Sequence, residues 1–141
     1  MALMVNGTSP TEINFVHNGT TTSLTKVQVV KNGTTTVVWE KVMKTLYTPV
    51  VLSANFGSQQ DILVEVYNSN DVDVACYVTF YDVNDTVYGS GSFLVSAHSY
   101  SGIEGIPLDS SGEFESGAYV TCYFTASGYT QSKTTTQSAS Y

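Results

Sequence analysis

Strict two-residue alternation is the feature that most constrains this chain. Val72, Val74, Cys76, Val78 and Phe80 alternate with Asp73, Ala75, Tyr77, Thr79 and Tyr81. Ala118, Val120, Cys122 and Phe124 alternate in the same way with Tyr119, Thr121, Tyr123 and Thr125. Ile62, Val64 and Val66 oppose Leu63, Glu65 and Tyr67, and Phe93, Val95 and Ala97 form a fourth set. A period of two places one set on each face of a strand, so each segment predicts a strand with one buried face. No useful stretch has helical periodicity. Turn residues separate the runs at Asn68-Ser69-Asn70-Asp71, Asp82 to Asp85, Gly89 to Gly91 and Asp109 to Gly112. Short strands at this spacing predict an antiparallel β-sandwich of the immunoglobulin-like kind over residues 48–141.

Residues 1–47 follow a different rule. Asn6-Gly7-Thr8, Asn18-Gly19-Thr20 and Asn32-Gly33-Thr34 recur at near-regular intervals. A type I′ turn needs positive φ at both central positions, which Asn and Gly tolerate best. With β-type runs at Ile13 to Val16, Leu24 to Val30 and Thr35 to Glu40, the expectation is a small N-terminal hairpin unit, arranged as a three-stranded meander. Such a unit buries too little to offset the backbone entropy it fixes. Phe15, Val29, Val37 and Trp39 therefore call for a covering surface, in this chain or in another subunit. Asn-x-Thr is also a glycosylation acceptor, as is Asn84-Asp85-Thr86, but turn chemistry explains these positions without it.

Composition narrows the function classes. Only 12% of residues are charged, there is no Arg, and the net charge is −7. Nucleic-acid binding needs Lys and Arg to displace counterions from phosphates, so no nucleic-acid partner is expected. Charge is also unequal along the chain. Residues 1–47 carry four lysines against two glutamates, and residues 48–141 carry Lys133 against ten acids. Met1 to Val5 is apolar but meets Asn6-Gly7 too early for a signal peptide. No apolar run approaches membrane-spanning length. Synthesis in a cytoplasm and no membrane partner are the expectations.

Candidate chemistry is sparse. Cys76 and Cys122 read either as an inter-sheet disulfide or as two buried thiols, and cytoplasmic synthesis favours the thiols. His17 and His98 lack metal-ligand spacing. Asp82, Asn84 and Asp85 share one turn and Asp71 and Asp73 another; these are weak calcium candidates, the first set foremost, at a spacing unlike the twelve-residue calcium loop. Glu104, Glu113 and Glu115 offer carboxylate pairs with no cleft implied. No catalytic residue, cofactor or metal is expected. Ten tyrosines remain. Tyr67, Tyr77, Tyr81, Tyr119 and Tyr123 fall opposite the expected core. They suit either an interface, including sugar stacking, or ordinary cross-strand packing.

The segments Phe15-Val16-His17-Asn18-Gly19-Thr20, Val29-Val30-Lys31-Asn32-Gly33-Thr34 and Val38-Trp39-Glu40 resemble the short Asn-Gly-Thr hairpin repeats that open certain bacteriophage virion proteins. Ile62 to Asn70, continued through Val78 to Asp82, is similar to the immunoglobulin-like modules appended to phage tail and capsid proteins. The resemblance implies a non-enzymatic virion structural protein, on the tail or baseplate or as a capsid decoration. It would pack against other virion proteins and against its own copies as a homo-oligomer. A carbohydrate-binding, host-adhesion module touching a surface glycan is the alternative.

Overall fold

The computed structural model describes residues 8–57, 60–109 and 116–140. The third Asn-Gly turn, at Asn6-Gly7, lies outside them, as do Glu113 and Glu115. The described residues form strands and turns, and the chain divides into two compact units, Met1–Met43 and Lys44–Tyr141.

The first unit holds two separate hairpins in place of the expected meander. Strand β1 (Asn14–His17) pairs with β2 (Thr20–Ser23), and β3 (Lys26–Lys31) pairs with β4 (Thr34–Glu40). Each pair is a two-stranded sheet of its own. Both turns use Asn-Gly as expected: φ is 49° at Asn18, 50° at Asn32, 77° at Gly19 and 75° at Gly33. The meander reading failed at Thr20–Ser23. The polar run Thr-Thr-Thr-Ser carries no apolar alternation, yet the turn before it folds it back onto β1. A bulge between Val27 and Gln28 shifts the register of the second hairpin.

The second unit is a two-sheet antiparallel sandwich. Its first sheet holds β5 (Val50–Phe56), β6 (Asp61–Asn68), β9 (Ser99–Tyr100) and β10 (Glu104–Pro107), with β6 between its partners. The second runs in the order β12 (Thr135–Ser138), β11 (Tyr119–Thr125), β7 (Val74–Tyr81), β8 (Val87–Val95). This partition places the third and fourth strands of the unit in one sheet with the last two. The alternating sets face inward as their period requires. Ile62, Val64, Val66, Val74, Cys76, Val78, Phe80, Val95, Val120, Cys122 and Phe124 are buried in one cluster. Phe56 of β5 meets Phe80 of β7 edge-on, ring centroids 5.5 Å apart, and links the two sheets.

Three local findings depart from the sequence-based expectation. The unit boundary falls at Met43/Lys44 rather than after residue 47. Leu46 is buried in the sandwich core, and its N–H donates to the Thr130 carbonyl at 3.0 Å. The Gly89 to Gly91 stretch is the interior of β8, not a turn. Gly89 pairs with Phe80 and Gly91 with Val78. A Cβ at Gly89 would collide with the Pro107 carbonyl oxygen, so glycine is needed for close backbone approach. Finally, the last strand falls in the second half of the tail, while the first half makes only isolated backbone bonds such as those of Thr130 and Ser132. Thr135–Ser138 hydrogen-bonds to β11, and Ser140 then exchanges backbone bonds with Ala54 and Phe56 of β5. The tail thereby ties one sheet to the other and covers an edge.

Candidate binding face of the sandwich

Burying one face of β7 and β11 forces the opposite residues outward, and the register then decides which of them meet. Tyr81 lies across from Tyr119, Thr79 from Thr121, and Tyr77 from Tyr123. The tyrosines stack in two parallel pairs. Ring centroids of Tyr77 and Tyr123 are 5.3 Å apart, with planes 9° from parallel. Those of Tyr81 and Tyr119 are 5.0 Å apart, at 13°. A threonine pair separates them. Such cross-strand pairs stabilise a sheet and also build a firm aromatic ridge.

The ridge is flanked by small residues on β8. Ser92 sits across from Tyr77 and Ser90 from Thr79. Between Tyr77 and β8 lies an open groove of about 320 Å³, lined by Tyr77, Val78, Thr79, Ser90, Gly91, Ser92 and Tyr123. Gly-Ser-Gly-Ser, which reads as a turn, is what opens it. The glycines face the core side and the serines face out, so the β8 positions directly across from Tyr77 and Thr79 carry only small side chains. No lining side chain carries a charge.

At the other end the ridge is pinned. The Tyr119 hydroxyl donates to Asp85 Oδ1 at 2.8 Å, which holds its proton more tightly and raises its pKa. The foremost calcium candidates serve this turn. Asp82 Oδ1 accepts the backbone N–H groups of Asn84 and Thr86, each at 2.8 Å. The bond from Thr86 leads in lowering the Asp82 pKa. Asp82 thus caps the turn while Asp85 receives a phenol, and Asp85 takes the left-handed conformation, φ 62°. Among the described residues no group of three His, Cys, Asp or Glu side chains is placed to hold a metal ion.

The other interface candidates disperse. Tyr67 lies on the first sheet, where it packs on Tyr100 with centroids 4.9 Å apart, so it does not join the ridge. In the hairpin unit Phe15, Val29 and Val37 are exposed, while Trp39 is only 6% exposed. Trp39 is thus an internal residue of its unit. Its indole N–H donates to the Pro10 carbonyl at 2.6 Å. Valines are exposed at both Val29 and Val30, neighbours that point to opposite faces of β3.

Cys76 and Cys122 are buried, free thiols. They occupy neighbouring strands of one sheet, offset diagonally, since Cys76 is opposite Phe124 and Cys122 opposite Val78. An inter-sheet bridge of the immunoglobulin kind therefore has no place here. A hydrogen bond with Cys122, followed by burial, pushes the Cys76 pKa far up, which makes it a poor nucleophile.

Sequence reasoning missed one polar centre. Asn68 is fully buried and Asn70 nearly so. Asn68 Nδ2 donates to the Val72, Val95 and Ser96 carbonyls at 2.9, 3.2 and 3.1 Å. Its Oδ1 accepts from Asn70 N and Nδ2, both at 2.9 Å. Asn70 Oδ1 in turn accepts the Tyr47 N–H at 2.7 Å. Beside this centre, at the surface, Asp71 pairs with His98 at 2.9 Å and Lys44 at 3.5 Å. The available signal was Asn68 continuing the inward phase of Ile62, Val64 and Val66.

Comparison with known protein families and with characterised proteins finds no match to this chain.

Proposed function

We propose that this chain is a non-enzymatic structural protein of a bacteriophage virion, docking through its N-terminal hairpins and displaying the sandwich. The supporting observation is the hairpin unit. Its strands form two separate two-stranded sheets and leave Phe15, Val16, Val29, Val30 and Val37 exposed. Isolated two-stranded hairpins are marginal in water, and apolar side chains on both faces of β3 gain by being covered. Other virion proteins and further copies of this chain are the proposed cover. Tail or baseplate is the proposed location, and capsid decoration is the competing one.

The test is to follow the chain in density-gradient-purified particles from a culture that produces it. Tails and capsids are separated, and wild type is compared with Val29→Lys/Val37→Lys. The proposal expects the wild type in the tail fraction and the variant lost from particles while still folded. Recovery in the capsid fraction moves the location to decoration. Absence of the wild type from particles refutes the virion reading. Undiminished incorporation of the variant refutes docking through the second hairpin. Light scattering on the full chain then reads self-association: a defined oligomer supports contacts between copies, and a monomer removes them.

A further inference from the structure

We propose that the groove beside Tyr77 is a binding site for a neutral oligosaccharide. The groove volume, about 320 Å³, lies at the small end of ligand pockets. One wall is the Tyr77 ring, held by its stack on Tyr123 and 41% exposed. An ordered, partly exposed aromatic face takes the C–H face of a sugar ring without losing much side-chain freedom. The flanks carry the hydroxyls of Thr79, Ser90 and Ser92, which both donate and accept hydrogen bonds and so match sugar hydroxyls.

Charge and length narrow the ligand. The lining is uncharged and the chain has a net charge of −7. An anionic glycan would meet repulsion and no cationic partner. Tyr81 and Tyr119 stand four residues further along the same strands, about 13 Å away at strand rise, with Thr79 and Thr121 between. The ridge therefore offers purchase to a chain of several rings rather than to a single sugar. This inference concerns the sandwich alone, so its failure leaves hairpin docking untouched, and the particle test leaves it untouched in turn.

The experiment is an amide ¹H–¹⁵N titration of the full chain with cellohexaose, chitohexaose and maltohexaose, and with a decaproline peptide as the competing ligand for an aromatic groove. At least one hexaose is expected to shift the amides of Tyr77 to Thr79 and Ser90 to Ser92. Tyr77→Ala should weaken that binding by roughly tenfold or more, the loss of one good stacking contact. Ser92→Phe, which fills the groove and leaves the Tyr77–Tyr123 pair in place, should weaken it as much. The proposal is overturned if no hexaose shifts these amides at about 10 mM, a very weak affinity. It is equally overturned if the shifts map elsewhere, if binding survives Ser92→Phe, or if decaproline alone binds.

Discussion

Replacing Asn68 by Ala should be among the most damaging substitutions in the sandwich, although an Asn beside a turn looks dispensable. The two amide hydrogens of Asn68 serve three carbonyls, and its oxygen accepts two donors from Asn70. The residue is fully buried, so water cannot replace those partners without opening the loop. Each lost hydrogen bond of this kind costs about 1 kcal/mol net, and each buried group left unpaired adds about 1–3 kcal/mol. With partial relaxation the sum is roughly 3–5 kcal/mol. A domain of this size has about 5–15 kcal/mol in all, and its melting temperature should fall by roughly 15–30 °C. Urea unfolding followed by circular dichroism, with the slope compared between variants, measures this directly. Asn84→Ala is the control: an exposed turn residue that should cost under about 0.5 kcal/mol. A loss below about 1 kcal/mol for Asn68→Ala would refute the view that this amide organises the loops joining β6 to β7 and β8 to β9.

Three further outcomes are expected. Cys76 and Cys122 should resist a thiol reagent in the folded protein and react at the rate of unfolding, and fast labelling in native buffer would contradict their burial. The Asp71 carboxyl, held below its ordinary 3.8 first by the hydrogen bond from His98 and then by the Lys44 charge, should titrate low by carboxyl NMR. Its folded-state pKa is depressed, so its stabilisation is complete above the ordinary value and is lost as pH falls through the folded one. Lys44→Ala should raise the midpoint. Gly33→Val, at φ 75°, should cost the second hairpin roughly 1–2 kcal/mol, removing its cross-strand NOEs while sandwich resonances stay in place.

Which of these features the sequence displays follows from the range of the interaction behind each. Alternation in Ile62–Val66, Val74–Phe80 and Ala118–Phe124 reports a local fact, the side of the strand each residue faces, and it located the core directly. Asn-Gly at residues 18–19 and 32–33 reports local dihedral tolerance, and both turns form there. Pairing partners are non-local. Thr20–Ser23 has no apolar pattern of its own, and nothing in it says that it pairs with β1 and leaves the third strand to pair with the fourth. Cys76 and Cys122 show their inward facing by phase, but the sheet to which each strand belongs is invisible at the level of phase. That is why an inter-sheet disulfide was conceivable and the same-sheet diagonal was not foreseen.

The tyrosine face illustrates the same division. That Tyr77, Tyr81, Tyr119 and Tyr123 point away from the core follows from alternation, but that they meet as two stacked pairs depends on the β7–β11 register. Tyr67 obeys the same alternation and still falls on the other sheet. The groove needs a third strand, and here local chemistry misleads. Glycine and serine in Gly89 to Ser92 are turn formers by propensity, yet the chain is held extended on both sides, by β7 through the ladder and by Pro107 and Leu108 crossing over Gly89. The close crossing excludes any side chain at Gly89. Restoring one there, as Gly89→Ala, would push β8 away from the Pro107 carbonyl. Since Ser90 and Ser92 ride on that strand, the width of the groove beside Tyr77 is set from the core side of the sheet. A residue outside the lining of the groove thus helps to set the width of the surface proposed to receive a ligand.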